Sequence, residues 1–199
     1  SINSLTVDDV DEVLNFASVD VEATVVLRNQ PGKLLNAITL KYEYLSSNDQ
    51  DIILENLPTG TAVERIKRGQ DFKISAAKDF LNANTDTSEK AIDTKDLFAL
   101  SKIVGNRTQA DPLELISADM NGDGSIDTKD LFALSKVVGN RETGGEWKFV
   151  ENDMSKLVNI SKNSVNFDEG AVFNSSSVSD VTELLAILVG DVNGSYGGI

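Results

Sequence analysis

The chain has 199 residues, with 32 acidic and 18 basic side chains and a formal net charge of −14. That length suffices for one large domain or two small ones, and the charge excess argues against nucleic acid or an anionic bilayer as a partner. With neither His nor Cys, thiol chemistry, disulfides, imidazole catalysis and the usual zinc ligand sets are gone, and oxygen donors suited to hard cations such as Ca²⁺ remain.

The opening residues carry no basic stretch and apolar core of signal-peptide type and read as an excerpt of something longer, with Asp8 to Glu12 as a solvated lead-in. Val19, Val21, Ala23, Val25 and Leu27 then alternate with polar residues, as do Ile38, Leu40, Tyr42 and Tyr44. Period two predicts half-buried strands. Asn29-Gln30-Pro31-Gly32 and Pro58-Thr59-Gly60 are turn signals, and Phe72 to Ala76 reads as a further strand. An antiparallel β-sandwich over residues 1–78 is expected, and its pattern resembles the immunoglobulin-like and collagen-adhesin-type β modules. Ser75-x-x-Lys78 matches the nucleophile motif of penicillin-binding enzymes. Its companion motifs are missing and Ser75 falls in a strand, so it reads as chance.

The next stretch contains a duplication. Ile92-Asp93-Thr94-Lys95-Asp96-Leu97-Phe98-Ala99-Leu100-Ser101-Lys102-Ile103-Val104-Gly105-Asn106-Arg107 recurs as Ile126 to Arg141, with only Ile103 replaced by Val137. Leu131, Leu134 and Val138, with Phe132 and Val137 beside them, recur at helical spacing, and Gly139-Asn140 is a helix stop. Core packing accounts for shared apolar residues. It leaves the matching Thr, Lys, Ser and Asn open either to recent duplication or to a common partner for both copies.

Immediately before the second helix lies Asp119-Met120-Asn121-Gly122-Asp123-Gly124-Ser125-Ile126-Asp127-Thr128-Lys129-Asp130. Counting from Asp119, side-chain oxygens stand at positions 1, 3 and 5, and Gly124 occupies the sharp turn at position 6. Ser125 offers a carbonyl at position 7, Asp127 reaches the ion directly or through water at 9, and Asp130 closes the shell at 12. Alternate residues of a tightly turning backbone converge on one point, and the carboxylates there would repel one another without a dication. Asp119, Asn121, Asp123, Ser125, Asp127 and Asp130 are therefore predicted to bind Ca²⁺.

The first copy departs from this spacing. A register with three extra residues offers Asn82, Asn84 and Asp86 together with Asp93 and Asp96. It has fewer charges and a longer loop to close, so a second, weaker Ca²⁺ site is the expectation, with a solvated loop as the alternative. Between the copies, Asp111-Pro112 reads as N-cap and first-turn proline of a short connecting helix.

Two loop–helix repeats with an Asp-x-Asn-x-Asp-Gly start and a connecting helix resemble the dockerin family, over residues 79–142. That resemblance implies a secreted or cell-surface bacterial protein whose repeated helices dock onto a cohesin-type domain. It also implies recognition through Thr94, Lys95, Ser101 and Lys102 and their counterparts Thr128, Lys129, Ser135 and Lys136, in either of two orientations.

Downstream, over residues 143–199, Trp147 and Phe149 alternate with Lys148, Val165 and Phe167 flank Asn166, and Leu184 to Val189 is a continuous apolar run. That run is far short of the roughly 20 residues needed to cross a bilayer. Three strand-like pieces do not make a stable sheet unaided, so they are expected to pair with the upstream sandwich or cover the helices. Asp191-Val192-Asn193-Gly194-Ser195 repeats the start of the good loop, so Asp191 and Asn193 are further candidate ligands if other segments complete the shell. A plain turn is the alternative there.

The whole reads as an α+β protein: a β-sandwich, a small helical calcium module and strands packing back on both. No catalytic constellation emerges. The expected role is calcium-dependent anchoring to a cohesin-type partner, and the alternative is a calcium-stiffened stalk segment of an adhesin.

Overall fold

A computed structural model describes residues 20–79, 91–176 and 181–196. Eight strands and three α-helices follow one another among them: β1 (Asp20–Asn29), β2 (Ile38–Tyr44), β3 (Ile52–Leu57), β4 (Thr61–Lys67), β5 (Asp71–Ala77), α1 (Thr94–Val104), α2 (Pro112–Ala118), α3 (Thr128–Val138), β6 (Trp147–Glu151), β7 (Ala171–Asn174) and β8 (Val181–Leu188). The protein is thus α+β. Its strands form two four-stranded sheets, ordered β4-β1-β8-β6 and β3-β2-β5-β7.

Period-two patterning explains the first five strands. Along β1, Val21, Ala23, Val25 and Leu27 turn inward while the residues between them are exposed or half-buried. Ile38, Leu40 and Tyr42 of β2 and Phe72 and Ile74 of β5 supply the inner face of the second sheet. Both sheets contribute to one apolar core, so each buries the face that it could not leave in water.

The strands nearest the C-terminus complete both sheets. β7 pairs with β5, Phe72 opposite Phe173, and β8 lies between β1 and β6. β8 runs parallel to β1, with Leu27 beside Leu184, so the first sheet is mixed, whereas the sequence pattern predicts an antiparallel one. Residues Leu184 to Val189 are all buried, because helix α2 packs on β8 and Gly190 N–H donates to Ser117 O at 2.8 Å. A strand covered on both sides has no polar face to alternate with, hence its continuous apolar run.

One strand-like segment behaves differently. The expected strand around Val165 and Phe167 belongs to neither sheet; Val165 N–H instead donates to Gly124 O at 2.7 Å, and Ile126 N–H to Lys162 O at 2.7 Å. This turn, bridged on itself between Ser161 and Ser164, takes its hydrogen bonds from the second repeat's loop rather than from a sheet.

Candidate metal centre and the repeated helices

Each repeated helix begins with the same device. Asp127 caps α3 by accepting from Lys129 N–H at 2.7 Å, and Asp130 Oδ2 accepts in return from Asp127 N–H at 2.9 Å. Asp93 and Asp96 do the same for α1, at 2.7 and 2.9 Å. A reciprocal box of this kind satisfies two helix-terminal donors that otherwise have no intrahelical partner.

Asp130 is wholly buried and its second oxygen turns away from the helix, accepting from Met120 N–H at 2.9 Å and Asn121 N–H at 3.3 Å. One carboxylate therefore ties the end of the loop to its beginning. Asp119 Oδ2 accepts from Gly124 N–H at 3.0 Å, Asn121 Oδ1 from Asp123 N–H at 3.0 Å, and Asp123 Oδ1 from Ser125 N–H at 3.1 Å. Gly122 and Gly124 take φ of 70° and 84°, the left-handed region that lets the chain turn this sharply. Burial pushes the carboxyls of Asp119 and Asp130 above their usual range, whereas bonds from Ser125 hold Asp123 below it.

The donor set fits a hard dication in one specific respect. Asp119 Oδ1 is buried and has no hydrogen-bond partner among the described residues. A negative oxygen shut from water without a donor is costly, and a cation would remove that cost. The carboxylates are nonetheless spread out: among the described residues no group of three or more gathers closely enough to hold a metal by itself. Asn121 Oδ1 and the Ser125 carbonyl are the other oxygens of the loop, and calcium accepts amide and backbone oxygens alongside carboxylates. Compared with known proteins, the chain matches no family model, and neither a curated protein nor a solved structure matches it significantly. The functional reading therefore stands on the site itself.

Of the candidate ligands for the first repeat, Asn82, Asn84 and Asp86 lie outside the described residues. Asp93 and Asp96 cap α1, and the chain segment beside them comes from the other end of the protein. Asn193 N–H donates to Asp96 Oδ1 at 3.2 Å, and Asp191 Oδ1 and Oδ2 accept from Ser195 N–H at 3.1 Å and Tyr196 N–H at 3.0 Å. Asp96 and Asp191 are 1% and 2% exposed. Burial, with the negative charge of Asp191 nearby, pushes Asp96 up to about 6, and burial raises Asp191 as well.

The eight residues predicted to recognise a partner lie on the two matched helices, which pack on one another. Thr94, Ser101, Thr128 and Ser135 line a groove between α1 and α3, together with Leu97, Phe98, Leu131 and Phe132. Ser101 and Ser135 Oγ are turned back onto their own helices, donating to Phe98 O and Phe132 O, each at 2.7 Å. Lys102 and Lys136 lie over the rings of Phe98 and Phe132, while Lys95 and Lys129 are exposed on the first turns. Lys129 stands 3.8 Å from Asp123 and 3.9 Å from Asp127, joining the second helix face to its loop.

The two phenylalanines are the residues that sequence reasoning missed. Adjacent to the apolar stripe in sequence, Phe132 reads as part of it. In the structure Leu134 and Val137 are buried, and Phe132 faces outward. The signal lay in the helical wheel: Phe132 falls two residues before Leu134, on the opposite side of the helix.

Ser75 and Lys78 form no catalytic pair. Ser75 stands opposite Lys41 on β2, and Lys78 Nζ donates to Asn36 O at 2.8 Å.

Proposed function

We propose that this chain is a calcium-ordered protein-interaction module of dockerin type, docking through α1 and α3 onto a cohesin-type domain of a secreted or cell-surface bacterial assembly. The observation that carries this reading is the doubled apolar face: Phe98 and Phe132, 61% and 60% exposed, flank one groove with the same Thr, Ser and Lys neighbours on each helix. Exposed aromatics of that size in a contiguous patch mark interaction sites more often than isolated surface residues do.

In this reading Ca²⁺ acts by ordering rather than by chemistry. Asp119, Asn121, Asp123, Ser125, Asp127 and Asp130 hold one ion. It neutralises the loop from which α3 starts, and so sets the direction of one half of the docking face. Asp93 and Asp96 with Asp191 and Asn193 are the candidates for a second ion.

The test is calcium-dependent complex formation with cohesin domains, measured by calorimetry in millimolar calcium and in EDTA. Replacing Ser135 and Lys136 together should leave binding nearly intact if either helix can lead, and replacing Ser101 and Lys102 as well should abolish it. No complex with any cohesin in calcium would refute the reading.

A second reading has its own support. The loop's Gly124 and Ile126 are hydrogen-bonded into the turn at 162–165, so an ion there would also stiffen the junction between the second repeat and the segment linking β6 to β7. A stalk segment of an adhesin would show that stiffening and bind no cohesin.

A further inference from the structure

The segment after β8 reproduces three hydrogen bonds from the opening of the second repeat's loop. In the second repeat, Asn121 N–H donates to Asp130 Oδ1 at 3.3 Å, Asp123 N–H to Asn121 Oδ1 at 3.0 Å, and Gly124 N–H to Asp119 Oδ2 at 3.0 Å. In the tail, Asn193 N–H donates to Asp96 Oδ1 at 3.2 Å, Ser195 N–H to Asn193 Oδ1 at 3.0 Å, and Tyr196 N–H to Asp191 Oδ2 at 3.0 Å. Gly194 has φ of 63° where Gly122 has 70°. The correspondence runs Asp191 with Asp119, Asn193 with Asn121, Ser195 with Asp123 and Tyr196 with Gly124. In the second repeat the loop opening and the helix that receives it are neighbours in sequence, whereas here they are 97 residues apart.

We infer that residues 191–196 are the opening half of the first repeat's loop, delivered from the far end of the chain, and that they hold α1 in place. The first repeat is thus discontinuous. Its receiving end is a buried carboxylate whose Oδ2 is committed to the cap of α1 and whose Oδ1 accepts the tail's amide. Its delivering end is anchored to the first sheet and to α2. Gly190 N–H binds Ser117 O, Asn29 Nδ2 donates to Tyr196 O at 3.3 Å, and the Tyr196 ring lies 6.4 Å from that of Trp147. A strap between the central strand β8 and the start of α1 makes one half of the helix pair depend on the completion of the sheet. It carries that dependence through the hydrogen bond to Asp96 and the burial of Val192 in the core, whether or not calcium is bound.

Hydrogen exchange on the full chain tests this, in calcium and again in EDTA, comparing the intact protein with a deletion of residues 191–199 and with Asp191→Ala. Both variants keep β8 and the Asp93–Asp96 cap. Losing the strap should speed exchange of α1 amides by about tenfold or more, with α3 and β1 unchanged. Unaltered protection of α1 in both variants overturns the inference. So does an equal loss over α1, α3 and β1, because the segment would then serve the whole fold and not the first repeat. A strap seen equally in EDTA separates this inference from the calcium reading, which can fail while it stands.

Discussion

Phe98 on α1 and Phe132 on α3 occupy the same place in their repeats, and the ammonium of Lys102 and of Lys136 lies 4.9 and 4.8 Å from the respective ring centres. Each ring is exposed on one side and covered by its lysine, a pairing that shields part of an apolar patch from water. Replacing both phenylalanines by alanine should leave stability within about 0.5 kcal/mol, since neither is in the core. A docking anchor of this kind contributes about 2 kcal/mol, so cohesin affinity should fall by about thirtyfold for each ring that takes part. Calorimetric titration of the single and double variants, beside their melting curves, decides this.

Calcium should stabilise the fold with the logarithm of its excess over Kd, by about 2.7 kcal/mol at a hundredfold excess. For a chain of this size that is a rise in Tm of about 5 to 10 °C. Asp119→Asn should erase the difference between calcium and EDTA while costing little in EDTA, because the amide oxygen can still accept from Gly124 N–H. Differential scanning calorimetry under the four conditions is the measurement.

Asp130→Ala should lower stability even without calcium. Its carboxylate accepts from Met120, Asn121 and Asp127 N–H groups and is fully buried, so removal strands three donors. A loss of about 3 kcal/mol is expected in EDTA, and a larger one in calcium, where the ion's contribution is lost with its ligand, read from urea unfolding.

Tyr42 lies at the centre of the second sheet with its side chain wholly buried and its hydroxyl without a hydrogen-bond partner among the described residues. Burial raises its pKa well above the ordinary phenol value. The unfolded state therefore ionises first as the pH climbs through about 10, and stability is lost from that point upward. Tyr42→Phe should remove this residue's contribution to the alkaline loss and stabilise the protein by up to about 1 kcal/mol at neutral pH, as one unsatisfied polar group leaves the core. Urea unfolding at a series of pH values checks both.

Sequence alone determined whatever depends on neighbours along the chain. The alternation in β1 and β2, the cap at Asp111, the stop after Val138, and the turn at Gly124 each follow from a few consecutive residues, because backbone preferences and side-chain periodicity act over one or two turns. What the tertiary structure decided lies across longer separations. The apolar run of β8 does not say which strand it joins or in which direction; its place beside β1 follows from two uncovered sheet edges meeting a segment that has no polar face. The helical wheel sets Phe98 and Phe132 apart from the buried stripe, but only the packing of α1 against α3 brings the two onto one groove. Asp191 and Asn193 could be read as half a loop, but what they complete is decided in space, where the end of β8 delivers them to the buried carboxylate of Asp96.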